Sequence, residues 1–126
     1  MKHIFTTVFL LTILSSFNVK IGIDDVISAV KSGNASQVAK FFDNNVEISM
    51  PDKSNSYSKS QAELVLKDFF ATNSVKSFEI IHKGENAGSQ YCIGTLQTKN
   101  GSYRTTIFMK QKADMQVLQE LRFENR

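Results

Sequence analysis

The stretch Ser89–Lys110, SQYCIGTLQTKNGSYRTTIFMK, alternates apolar and polar residues on both sides of Asn100-Gly101. A period of two held this long is the signature of a strand with two distinct faces. Asn-Gly is the strongest short hairpin signal, because a type I′ turn needs positive φ at both central residues. The pattern predicts a long hairpin with Lys99 opposite Ser102 and Thr98 opposite Tyr103. One face, taken as inward, carries Cys92, Gly94 and Leu96 beside Thr105, Ile107 and Met109. The other carries Tyr91, Ile93, Thr95 and Gln97 beside Arg104, Thr106, Phe108 and Lys110. A slip of one residue in either strand would exchange the faces.

The segments around this hairpin predict an α+β chain. Ile23, Val26, Ile27 and Val30 recur at helical spacing, with Asp24 as an N-cap and Gly33 as a stop. Asn34 or Ser36 can open a second short helix with Val38, Phe41 and Phe42 on one face. Val46, Ile48 and Met50 alternate with polar residues as a strand that Pro51 ends, and the polar run Asp52–Tyr57 reads as a loop. Ser58 with Gln61 makes a capping box for a helix whose buried stripe is Ala62, Val65, Leu66, Phe69 and Phe70, with Asn73 as its stop. Strands follow at Val75–Lys83, Gln90–Lys99, Ser102–Lys110 and Met115–Glu124, the last bringing Leu121 and Phe123 to the inward face. Helices first and a meander after imply N-terminal helices packed on one side of a curved, mainly antiparallel sheet.

The first residues, MKHIFTTVFLLTILSSFNVK, have a basic start and an apolar stretch from Ile4 to Leu14. A core of about ten apolar residues suits a secretory signal and falls short of the roughly 20 that a membrane span needs. Residues 1–20 are therefore expected to be a signal peptide, cleaved between Ser16 and about Lys20, with a retained signal anchor as the alternative. Residues 21–126 then form one domain. The single cysteine, Cys92, lies far from the signal, which closes the lipoprotein route and any internal disulfide. An exported domain with no bridge suits a periplasm. The 126-residue chain carries fifteen Lys and Arg against twelve Asp and Glu, and losing Lys2 leaves fourteen against twelve. That small, scattered excess gives no footprint for nucleic acid.

Candidates for chemistry are few. Two histidines occur, and His3 leaves with the signal. His82 follows Phe78 and Ile80 in alternation, so it is expected on the inward face with Tyr103 and Thr105 as polar neighbours. A lone histidine there is a weak candidate base, with Tyr103 as donor, for an isomerase or lyase. No set of His, Cys or carboxylates has ligand spacing for a metal, no glycine loop could cradle phosphate, and no cofactor is implied. Ten phenylalanines and no tryptophan raise a second reading. Phe42, Phe69, Phe78, Ile80, His82, Tyr103 and Thr105 could line an apolar pocket for a small ligand, or simply form core. A third reading rests on the outward face. There Tyr91, Ile93 and Phe108 make an apolar patch rimmed by Arg104, Thr106 and Lys110, as a homodimer or exported partner protein would require.

This order of elements resembles the nuclear transport factor 2-like superfamily, the cystatin-like α+β cones, from about Ile23 to Phe123. Within it, VAKFFDNNVEISM, SKSQAELVLKDFF and YCIGTLQTKNGSYRTTIFMKQ…LQELRFEN are similar to an exported bacterial family, domain of unknown function 4783. The resemblance implies a bent sheet wrapped around helices, often with a conical apolar pocket. Some members of the superfamily are isomerases or dehydratases, such as ketosteroid isomerase and scytalone dehydratase. Others bind ligands, dimerise or serve as accessory domains. The carboxylate base that ketosteroid isomerase uses has no counterpart on the hairpin's inward face, so the fold carries no activity with it. The expected role is that of a non-catalytic exported domain binding a small apolar ligand or a partner protein.

Overall fold

A computed structural model describes residues 22–126; the expected signal, residues 1–20, lies outside the described residues. Helix α1 (Ile23–Lys31) starts one residue before the expected cap. Gly22 takes the extended cap position, its N–H donating to Asp25 Oδ2 at 3.2 Å, while the Ile23 N–H donates to Gln90 Oε1 at 3.0 Å. The helix stops at Gly33, as its sequence implies. Gly33 has φ of 64°, its N–H reaches Val30 O and the Asn34 N–H reaches Ala29 O, which is the Schellman arrangement. Asn34 then caps the short α2 (Ala35–Ala39) through Oδ1, which accepts from the Gln37 N–H at 3.1 Å. Ser58 caps α3 (Lys59–Thr72) by accepting from the Gln61 N–H. Ala62, Leu66, Phe69 and Phe70 of α3 are buried and Val65 is half-buried, a stripe at helical spacing.

Six strands form one curved, unclosed sheet in the order β2-β1-β6-β5-β4-β3. They are β1 (Phe42–Met50), β2 (Lys53–Ser58), β3 (Val75–Asn86), β4 (Ser89–Thr98), β5 (Gly101–Lys112) and β6 (Met115–Asn125). Strand β1 runs parallel to β6 and every other neighbouring pair is antiparallel. The meander β3–β6 matches the expectation. The polar segment expected as a loop is instead β2, pairing Ser54 with Ser49 and Ser56 with Glu47. Its residues are exposed apart from Tyr57, which suits an edge strand with no apolar face to announce it. The fully buried core joins Val26 and Val30 of α1, Val38 of α2 and Leu66 of α3 to Val46, Ile48, Leu96, Ile107, Met109, Leu118, Leu121 and Phe123 of the sheet.

The central hairpin keeps its faces and changes its register. Thr98 pairs with Gly101, Gln97 with Ser102 and Leu96 with Tyr103, so the turn residues are Lys99 and Asn100. Each β4 residue thus meets a β5 residue two positions earlier than expected, and an even shift leaves inward residues inward. Tertiary hydrogen bonds explain the change. Asn100 Nδ2 donates to Thr72 O at 2.8 Å and to Asn73 Oδ1 at 3.1 Å, covering the C-terminus of α3. The Lys99 N–H reaches Ser74 O, and the Asn100 N–H reaches Thr98 Oγ1. These bonds hold the turn against the helix, and Gly101 alone there takes a positive φ, 127°. The pair of consecutive positive-φ residues that a type I′ turn requires occurs at Ala87 (47°) and Gly88 (86°), between β3 and β4.

Candidate functional site

The inward side of the sheet carries most of the expected pocket residues, and they pack on one another. Phe69 stacks on Phe123 with ring centroids 4.3 Å apart and meets Tyr103 edge-on at 5.3 Å. Phe42, Phe69 and Phe78 are buried in the core cluster, and Thr105 is wholly buried. The Phe78 ring lies over Gly94, where a Cβ would come within 2.6 Å of it. The Tyr103 hydroxyl donates to Asn73 Oδ1 at 3.1 Å, and the Asn73 amide donates to Phe69 O. This polar pair ties the end of α3 to β5. Ile80 sits on the edge strand and is 40% exposed.

His82 is not where the alternation puts it. Strand β3 carries a bulge between Ile80, which pairs with Gly94, and His82, which pairs with Ile93. Ile81 is the extra residue, and a bulge re-aims everything after it. His82 therefore lies on the outward face, exposed, with Nε2 2.7 Å from the Tyr91 hydroxyl. Tyr103 is on the opposite side of the sheet and bonded to Asn73, so the expected base–donor pair of His82 with Tyr103 is not assembled. The doublet Ile80-Ile81 was the one local hint, since two neighbouring apolar residues break a two-residue period.

On the outward face the changed register brings the expected apolar residues closer together. Tyr91 stands directly opposite Phe108, Ile93 opposite Thr106, and Lys110 opposite Val117 of β6. Tyr91, Ile93, Phe108 and Val117 are each half-buried by their neighbours. The Tyr91 ring leans across β3 onto Gly84, where an added Cβ would fall 2.6 Å from the ring. The glycine thus lets the ring lie flat within reach of His82. Val117 and Gly84 escaped the sequence reading, Val117 because the β5–β6 register was open and Gly84 because a glycine gives no facial signal. Around the patch, Arg104 faces Glu124 and Thr106 faces Arg122 across the β5–β6 ladder. Arg122 donates to Glu120 Oε2 at 2.8 Å, and this bond, with the nearby Glu124 and Glu47 carboxylates, raises its guanidinium pKa further.

Open clefts lie elsewhere among the described residues. One of about 400 Å³ is lined by Ser32 to Ser36, Lys67, Phe70 and Ala71. Another of about 290 Å³ lies between the start of α1 and the β3–β4 hairpin, beside the Lys83–Asp24 ion pair of 2.7 Å. Cys92 is buried, and burial raises its thiol pKa, as suits an inert packing residue. At the far rim, Asp43 accepts from Lys112 Nζ at 2.9 Å, from the Asn44 N–H at 2.8 Å and from Gln119 Nε2 at 3.1 Å. The Lys112 bond is the main reason its carboxyl pKa is lowered. This cluster pins an irregular part of β1, between Phe42 and Glu47, to the β5–β6 hairpin. Among the described residues no three His, Cys, Asp or Glu side chains are grouped to hold a metal, and no helix is long and apolar enough to cross a membrane.

Comparison with known proteins places this architecture. A solved family protein from Bacteroides uniformis is 30% identical with a TM-score of 0.79, covering 82% of this chain and 95% of its own. One from Bacteroides ovatus is 28% identical with a TM-score of 0.78, covering 81% and 93%. Both are described as DUF4783 family proteins. The designed protein "Rd1NTF2_04 with long sheet" shares the fold at a TM-score of 0.64 and 19% identity, over 80% of this chain and 94% of its own. A search of curated proteins finds no match. The family model for the domain of unknown function DUF4783 matches residues 23–124, and the chain belongs to that family, with a nuclear transport factor 2-like fold.

Proposed function

We propose that this chain is an exported, non-catalytic domain that acts by protein–protein contact through the outward face of its sheet, with a second copy of itself as the partner. One observation carries the reading: Tyr91, Ile93, Phe108 and Val117, half-buried on three neighbouring strands, share the face away from the helices, with Tyr91 directly opposite Phe108. A two-fold contact must be complementary to itself. The rim meets that condition, since Arg104 and Arg122 stand beside Glu120 and Glu124 and each sign can meet the other across an axis. Six strands about 4.8 Å apart and about ten residues long at ~3.3 Å each give a face of roughly 900 Å². A standard interface takes about 800 Å² from each partner. Export is supported by the basic start and short apolar stretch of residues 1–20. A small apolar ligand has less support, because Phe69, Phe123 and Tyr103 already pack on one another where it would sit.

The test is sedimentation equilibrium of the exported protein and of the Ile93→Asp, Phe108→Asp double variant. The reading expects a dimer that the double variant turns into a folded monomer with unchanged circular dichroism. A double variant that folds and keeps the wild-type mass would remove the face from consideration.

A further inference from the structure

His82 is the one motif of the sequence that neither the core nor the fold accounts for. The Ile81 bulge turns it out of the inward face and sets it opposite Ile93, at the margin of the apolar patch. There its Nε2 lies 2.7 Å from the Tyr91 hydroxyl, with ring centroids 5.4 Å apart. Because His3 is in the expected signal, His82 is the sole histidine of residues 21–126. We infer that protonation of His82 loosens the contact made by the outward face, so that association is tight at neutral pH and weakens on acidification.

The inference rests on the proposed role of that face and adds a control to it. A neutral imidazole can accept the Tyr91 O–H through Nε2, which leaves both groups satisfied when a partner covers them. An imidazolium can only donate, so the phenol O–H must find another acceptor. Of the residues beside Tyr91 on this face, Ile93 and Phe108 offer no acceptor, and the polar ones, Ser89 and Asn86, lie toward the end of the β3–β4 hairpin. Covering the pair with apolar surface also strips water from the charged ring and disfavours it. The other charged groups near His82 do not supply the same response. Glu79, opposite Thr95, shares the outward face on its own strand, and Lys83, on the other side of the sheet, is paired with Asp24 of α1; from β4, Ile93 stands opposite it and Tyr91 is the titratable group that faces it. Carboxylates, phenols and lysines as classes titrate outside the range between about pH 5.5 and 7.5, and histidine titrates inside it.

The sign follows from linkage. A contact that favours the neutral ring is at full strength above the histidine range and is lost as pH falls through it. A two-fold contact contains two copies of His82, so the effect of one enters squared. A fivefold effect per ring gives a dissociation constant about 25-fold weaker at pH 5.5 than at pH 7.5.

Sedimentation equilibrium of the exported protein at those two pH values and one ionic strength tests this, alongside His82→Gln, which keeps a hydrogen-bonding side chain that does not titrate. The expected result is a wild-type dissociation constant at least tenfold weaker at pH 5.5 and a His82→Gln constant that changes less than twofold. A wild-type dimer whose constant is flat, or tighter in acid, overturns the inference and leaves the dimer standing. A His82→Gln dimer that keeps the full pH response also overturns it. A wild type that stays monomeric at both pH values overturns the dimer reading itself, and the inference with it.

Discussion

Truncating Phe69 to alanine tests whether the cone is filled by its own side chains. Phe69 is 8% exposed and is the ring on which the interior converges, stacked on Phe123 at 4.3 Å, edge-on to Tyr103 at 5.3 Å and tilted against Phe70 at 5.9 Å. A buried Phe→Ala change costs about 3–5 kcal/mol through lost burial and the cavity left behind. Lost aromatic pairing, ~0.5–1.5 kcal/mol for each well-formed pair, is part of that cost. The neighbours here are ordered core, held by the bond of Tyr103 to Asn73, so the site cannot collapse far. The expected loss is about 4 kcal/mol, a large part of the ~5–15 kcal/mol that holds a domain of this size together. With a urea m-value near 1.5 kcal/mol/M, the midpoint falls by about 2.7 M. Phe69→Leu should lose about 1–1.5 kcal/mol and serves as the milder variant if alanine does not fold. Urea titration followed by circular dichroism reads both. A Phe69→Ala loss under about 1 kcal/mol would show that the ring borders open space, and the packed interior described above would be wrong.

Other expectations are local. Asp43→Ala should cost about 2 kcal/mol at pH 7, the scale of hydrogen bonds to a charged group. The folded carboxyl pKa is lowered, so its contribution is present above the ordinary carboxylate range and is lost as pH falls below about 4. The gap between the urea midpoints of wild type and variant should therefore narrow steadily as pH falls below the ordinary carboxylate range, and a gap that stays constant would contradict the Lys112–Asp43 account. Asn100→Ala removes both donations to the end of α3 and should cost about 1–2 kcal/mol in thermal unfolding; a loss below about 0.3 would mean the turn is held by other contacts. Ala87→Asn puts Asn-Gly at the β3–β4 turn, where both residues have positive φ, and should raise the melting temperature by a few degrees, about 0.5–1 kcal/mol. A fall would show that the turn does not hold those angles.

What the chain reveals in one dimension and what it hides follow a physical division. The faces of β4 and β5 were legible because side chains alternate strictly, and Cys92, Leu96, Ile107 and Met109 are all buried as expected. The helix ends at Gly33, Asn34 and Ser58 were legible because each is a local bond between residues a few positions apart. The register of the hairpin was not, because Asn100 is held by Thr72 and Asn73, which are distant in sequence. The side taken by His82 was hidden by a bulge, and β2 by a sequence that is polar throughout except for Tyr57, its one half-buried residue. The patch residues Tyr91, Ile93, Phe108 and Arg104 were legible as a set. Their closest pairing, Tyr91 against Phe108, was not, since it depends on the same displaced turn.

Native mass spectrometry of the protein, purified from the cells that make it, bears most directly on whether this domain works through its outward face. The account expects a species of twice the chain mass, with no small molecule retained and with the double variant at Ile93 and Phe108 found as a single chain. A single-chain wild type carrying a reproducible extra mass would contradict it and return the weight to a ligand held inside the cone.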